Sequence, residues 1–243
     1  MSESLQGKFA IVTGAAQGLG YAIAKAYASE GMKLALMDID AEQLNTVAEE
    51  LDTETLVCTV DLSQAEATQS AIDKVLEQFG TPRVVVHNAA ILKPRSLQDV
   101  TLDEWLLTVN VGIQAAFQLS KSVWQGMTDV GQGSIVFVSS QSGIKGFEDE
   151  TAYCTAKHGL EGLMKSLAIE GKSRNIAVNT ITPGMYMHTP MSEQNYPDEL
   201  KQKWVDPILL TPAFIQLAQQ DASGISGERL DAWAMSEAIR SGE

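Results

Sequence analysis

Lys8-Phe9-Ala10-Ile11-Val12-Thr13 runs straight into Gly14-Ala15-Ala16-Gln17-Gly18-Leu19-Gly20, and the fold is decided where the two meet. The first run is apolar and β-rich, with the length of a buried strand. Beyond the glycines, Leu19, Ile23, Ala26 and Tyr27 recur at helical spacing and predict a helix over 18–30. Glycines at such a junction permit a tight turn and let the backbone approach a phosphate closely. The helix that follows presents unpaired N–H groups and the positive end of its dipole to an anion. The spacing is G-xxx-G-x-G, not the more widespread G-x-G-xx-G, and a purely structural turn would carry the same glycines. Its place between a first strand and a first helix favours a dinucleotide site built from Gly14, Gln17, Gly18, Leu19 and Gly20.

Outward from this junction the alternation continues. Strands are predicted over 33–38, 55–60, 83–87, 134–139 and 177–181; helices over 41–51, 64–79, within 101–127 and over 152–171. Regular alternation argues for an α/β, Rossmann-like, doubly wound parallel sheet with helices on both faces. No linker rich in Pro, Gly or Ser divides the chain, so residues 1–243 read as one domain. The segment 184–206 breaks the pattern. It holds Met185, Tyr186, Met187, Met191, Tyr196 and Trp204 between prolines, and reads as a small lid over the strand ends, where α/β sheets bind ligands.

Asp38 closes the second strand, where a carboxylate can accept hydrogen bonds from the adenosine ribose hydroxyls. A 2′-phosphate would meet a like charge there, with no Arg or Lys at Gln17 or Ile39 to offset it, which favours NAD over NADP by about 1–3 kcal/mol. The competing reading of Asp38 is a helix cap, for which Asp40 is better placed. Tyr153 and Lys157 stand at i and i+4 on a predicted helix and project from one face. A free phenol titrates near pH 10, and a neighbouring ammonium is expected to lower that value and make proton exchange with an alcohol feasible. By itself Tyr-xxx-Lys is more often an exposed helical pair.

Composition narrows the classes. The chain has 243 residues, 44% hydrophobic and 20% charged, with net charge −14. That balance makes nucleic acid and anionic membrane surfaces poor partners. No run approaches the about 18 apolar residues of a membrane span, and the N-terminus lacks the pattern of a signal peptide. Cys58 and Cys154 read as free thiols of a cytoplasmic protein. No metal site is expected, because the three histidines and two cysteines show no ligand spacing.

The motifs occur in a fixed order: Thr13–Gly20, Asp38, Val60-Asp61-Leu62, Asn88-Ala89-Ala90, Asn110, Ser139-Ser140, Tyr153-Cys154-Thr155-Ala156-Lys157 and Pro183-Gly184. On these residues the chain resembles the short-chain dehydrogenase/reductase family over roughly 6–232. The resemblance implies a catalytic set of Asn110, Ser140, Tyr153 and Lys157. Ser140 is preferred over Ser139 because family spacing places the serine thirteen residues before the tyrosine. Tyr153 would be the general acid/base, Ser140 would bind the substrate oxygen, and Lys157 would tune the tyrosine and hold the nicotinamide ribose. Asn110 would sit at a helix irregularity and serve a proton relay. Asp61 and Leu62 would flank the adenine, with Asn88, Ala89, Pro183, Gly184 and Thr189 along the cofactor. The implied activity is hydride transfer between NAD and a secondary alcohol or ketone of the polyol, sugar, hydroxy acid or cyclic alcohol type, by a homodimer or homotetramer.

A 3-oxoacyl reductase of the same family and a non-catalytic nucleotide-binding regulator are the alternatives. The chain departs from the family at His87-Asn88-Ala89-Ala90, at Ala156, in the loop from Gly184 to Thr189, which is one residue longer than usual, and at Gly227–Trp233, where Asp-Gly-Gly is missing. His87 is expected to be a satisfied core residue and His158 to face solvent or a neighbouring helix. The resemblance places Lys93, Arg95 and Lys145 on loops that rim the substrate cleft, with solvated surface charge the competing and preferred reading, and His188 in the lid is a candidate to touch substrate.

Overall fold

A computed structural model describes residues 4–242. Strands β1 (Phe9–Thr13), β2 (Lys33–Asp38), β3 (Thr55–Thr59), β4 (Val84–His87), β5 (Gly133–Val138), β6 (Ile176–Thr182) and β7 (Arg229–Asp231) form one sheet. All neighbours pair in parallel, in the order β3-β2-β1-β4-β5-β6-β7. Each central strand is apolar on both faces and sends alternate residues to opposite layers. Ala10 and Val12 of β1 pack with Leu34 and Leu36 of β2 in one core, while Phe9 and Ile11 join Ala35 and Met37 in the other.

Helices α1 (Gly18–Ser29) and α2 (Ala41–Glu50) cover the first core, with α8 (Thr211–Ala218) and α9 (Ala232–Ser241) beside them. The second is covered by α3 (Ala65–Phe79), α4 (Leu102–Val109), α5 (Ala115–Val130) and α6 (Thr151–Gly171). The helix predicted within 101–127 is thus α4 and α5, joined by a π-helical turn, Asn110–Gln114. After β6 the segment 184–206 carries the short α7 (Pro190–Asn195) and a 3-10 turn, and is tied to itself by a bridge between Met187 and Val205.

The alternation predicts six strands, and β7 is the seventh. It has three residues, none of them buried, so no apolar run marks it. α8 and α9 also go beyond the predicted elements. No helix among the described residues is long and apolar enough to cross a membrane. The strand order reverses direction between β1 and β4, which opens a crevice at their C-terminal ends.

Candidate active site

A cleft of about 480 Å³ lies at that crevice. Its first end is the glycine turn. Gly14 has φ +64°, and a Cβ there would stand 2.8 Å from Asn88 Nδ2 and 2.9 Å from Ala89 Cα. Asn88 Nδ2 donates to the Thr13 and Gly14 carbonyls at 3.2 and 3.1 Å. Thr13 Oγ1 accepts from the N–H groups of Asn88 and Ala89, both at 3.1 Å. The loop leaving β4 is therefore latched onto the glycine turn. Gln17 precedes α1 without a side-chain cap, so the first-turn amides of the helix are left for an anion.

Asp38 is held in place by backbone amides. Its Oδ2 accepts from Ala16 N at 3.0 Å and its Oδ1 from Ile39 N and Asp40 N at 2.7 and 3.1 Å. The cap of α2 is Asp40, which accepts from Gln43 N at 3.0 Å. Asp38 is thus free of capping and lines the cleft, as do Asp61 and the buried Leu62. Asp61 Oδ1 accepts from Ser63 N at 2.9 Å.

The other end holds Ser140, Tyr153 and Lys157. Lys157 is buried and its Nζ donates to the Val138 carbonyl at 2.6 Å, 5.4 Å from the centroid of the Tyr153 ring. Burial lowers its pKa to about 8, opposed by the carboxylate of Glu161. Tyr153 differs from expectation. Burial holds its phenol well above the usual range, and the Tyr196 phenol and Glu150 add to this, while a hydrogen bond with Ser140 works against it. Desolvation is the largest influence at the phenol, while the Lys157 ammonium donates to the Val138 carbonyl.

The two adjacent serines have different partners. Ser139 Oγ donates to Glu161 Oε1 at 2.5 Å, whereas Ser140 Oγ meets Tyr153 and accepts from Ser142 N at 3.2 Å. Ser142 Oγ in turn donates to Glu150 Oε2 at 2.8 Å.

Gly14, Gln17, Gly18, Leu19, Asn88, Ala89, Pro183 and Thr189 line the cleft; Gly20, Asn110 and Gly184 do not. Asn110 opens the π turn and donates through Nδ2 to Ser63 O at 3.3 Å. Thr189 caps α7, accepting from Ser192 N at 3.1 Å, and its side chain stands against Gly18. Lys93 reaches the cleft, but Arg95 faces Glu104 at 3.8 Å and Lys145 lies outside the lining. His188 turns to a separate cavity, paired with Glu193 at 2.7 Å and stacked on Trp204. His87 is buried between Thr13 Oγ1 and the Gly112 carbonyl, both at 3.0 Å, and His158 is exposed. Sequence reasoning missed Glu161 and Arg229. The signal for Glu161 was a carboxylate one turn past Lys157 on the buried stripe of α6; Arg229 carried none.

Residues 8–200 match the model of the short chain dehydrogenase family. The chain is 31% identical to D-threitol dehydrogenase of Mycolicibacterium smegmatis, covering 93% of this chain and 91% of that protein. It is 32% identical to the 3-oxoacyl-acyl-carrier-protein reductase of Chlamydia muridarum, over 95% of this chain and 97% of that one. The crystal structure of carveol dehydrogenase from Mycobacterium avium, in complex with NAD, superposes with a TM-score of 0.81 at 26% identity, covering 95% of this chain and 97% of that chain. Other similar structures hold NADP or NADPH. The chain belongs to the short-chain dehydrogenase/reductase family, and is an oxidoreductase of CH–OH groups that uses a nicotinamide cofactor.

Proposed function

We propose that this protein is an NAD-dependent dehydrogenase that interconverts a secondary alcohol and its ketone, with Tyr153 as general acid/base. The observation that carries the reading is a single cleft with the glycine turn and Asp38 at one end and Tyr153, Ser140 and Lys157 at the other. The cradle fits a dinucleotide. A side chain at Gly14 would fill the approach, the first-turn amides of α1 carry no side-chain cap and would be open to an anion, and Asp38, held by backbone amides, would meet the ribose hydroxyls. Gly14, Gln17, Gly18 and Leu19 would hold the pyrophosphate, Asp38 the ribose, and Asp61 and Leu62 the adenine. Gly20 would keep the turn tight from behind, while Asn88, Ala89, Pro183, Gly184 and Thr189 would follow the cofactor toward its nicotinamide. When bound, NAD supplies the hydride acceptor.

The chain's own groups manage the proton. Ser140 holds the substrate oxygen beside the Tyr153 phenol, which takes the hydroxyl proton during oxidation and returns it during reduction. Lys157, protonated below about pH 8, places a positive charge behind the phenol and would donate to the nicotinamide ribose. Asn110, at the π turn, belongs to the relay behind Lys157. Because the phenol is held high, alcohol oxidation should accelerate as pH rises toward about 8, above which Lys157 loses the charge that favours the phenolate.

Ile91, Val138, Met185, Tyr186, Met191 and Tyr196 give the substrate end an aromatic and apolar wall. This favours a cyclic or apolar-flanked alcohol over a polyol. Similarity to a 3-oxoacyl reductase supports a second reading, reduction of a carrier-bound ketone. Asp38 and the net charge of −14, which would repel an acidic carrier, count against it.

The test is turnover of NAD with a panel of secondary alcohols, followed by NADH absorbance. Turnover should be lost in Tyr153→Phe while NAD affinity is kept. NAD binding without turnover across a broad panel would indicate a regulator instead. Asp38→Ala should weaken NAD and narrow its advantage over NADP; equal use of both by the parent would overturn the reading of Asp38.

A further inference from the structure

Glu161 is 6% exposed and lies one turn beyond Lys157 on α6. A buried carboxylate is costly unless several partners meet it. Three do, from three other parts of the chain. Ser139 Oγ donates to Oε1 at 2.5 Å, Thr180 Oγ1 of β6 donates to Oε2 at 2.8 Å, and Arg229 Nε of β7 stands 3.3 Å from Oε1 as an ion pair. The other arm of the guanidinium, Nη2, donates to the Ser140 carbonyl at 3.1 Å. The Ser139–Ser140 dipeptide is therefore gripped twice, by its first hydroxyl and by its second carbonyl. The Ser140 hydroxyl, which also meets Ser142, faces the cleft and Tyr153.

We propose that Glu161 and Arg229 are positioning residues that clamp the Ser139–Ser140 turn and so fix the Ser140 hydroxyl against Tyr153. The proposal rests on the roles given to Ser140 and Tyr153 above. The arginine comes from Gly227–Trp233, the stretch where the chain departs from the family's usual ending. Through it the edge strand β7 is tied to the catalytic loop. The fold alone does not require an ion pair at this point, because a buried pair is often replaceable by apolar residues of similar volume without loss of stability. An apolar pair cannot reproduce the directed hold on a hydroxyl and a carbonyl.

The experiment compares the parent with Glu161→Leu/Arg229→Leu and with Arg229→Lys. The lysine variant keeps the charge beside Glu161 and removes the second arm to Ser140. Both variants should lose kcat on the order of tenfold, as expected for a catalytic group displaced by a fraction of an ångström, with NAD affinity unchanged. Amide hydrogen exchange over residues 139–143 should quicken in both. Either parent-like kcat or parent-like exchange in the lysine variant overturns the clamp, whether or not the double variant folds. If the parent itself shows no turnover, the functional reading fails, and exchange alone then decides the clamp, quickened supporting it and unchanged overturning it.

Discussion

Lys157 reaches from α6 to the end of β5, and its bond to the Val138 carbonyl says more about its chemistry than the Tyr-xxx-Lys spacing does. The spacing was legible because an i, i+4 relation is local. Burial is not local, and it governs the titration of both residues. The same holds at His87. Its ring is 1% exposed, and burial lowers its pKa to about 4, helped by the charge of Lys157 and opposed by backbone carbonyls at Gly112 and Val111. The unfolded chain binds a proton at this histidine near pH 6.5 while the folded chain does not. Its stabilising contribution is therefore full above pH 6.5 and lost as pH falls toward 4. Between pH 6.5 and 4 the loss amounts to roughly 3 kcal/mol. His87→Gln should flatten this acid limb in denaturant titrations between pH 7 and 4. An unchanged slope would show that other groups set the acid limit.

Secondary structure was readable wherever periodicity was strong. The central strands β1, β2, β4 and β5 and the stripes of α1 and α6 are dense in apolar residues with clear spacing. β7 and Arg229 were not readable, since three residues of mixed character gain their meaning only from pairing with β6. The glycine turn and Asp38 were legible as contiguous motifs, whereas the hold on Asp38 by Ala16 N spans the crossover between two strands. The π turn joins these levels. It aims the Gly112 carbonyl at His87 and brings Gly112 against α6, where an added Cβ would lie 2.7 Å from the Cβ of Ala156. Ala156 immediately precedes Lys157, so the approach of the two helices sets the position of Lys157. Gly112→Ala should push them apart, costing about 1–3 kcal/mol by overpacking. It should also lower kcat more than it weakens NAD binding. Urea denaturation and steady-state kinetics check this together; parent-like values in both would show that the helices yield freely.

At the scale of the whole molecule, the exposed apolar side chains on the helices that cover the second core call for a partner. Leu102 of α4, Phe117 of α5 and Ile169 of α6 are 69%, 51% and 79% exposed. α4 packs on α6, and α5 continues α4 through the π turn, so the three helices form one outer layer. We propose that a second copy of the chain covers this layer across a two-fold axis, where one patch meets its own image. The net charge of −14 opposes self-association, so the proposed contact would rest on its apolar area, with about 800 Å² per partner the usual size of a stable interface. At physiological ionic strength charges farther apart than about 8 Å are largely screened, which leaves the apolar term in control. Sedimentation at that salt should give the mass of a dimer or tetramer, and lowering the salt should weaken the assembly as repulsion returns. Phe117→Glu with Ile169→Glu should leave a folded monomer. A monomeric parent would refute the assembly, and an unchanged mass for the double variant would move the interface to another face.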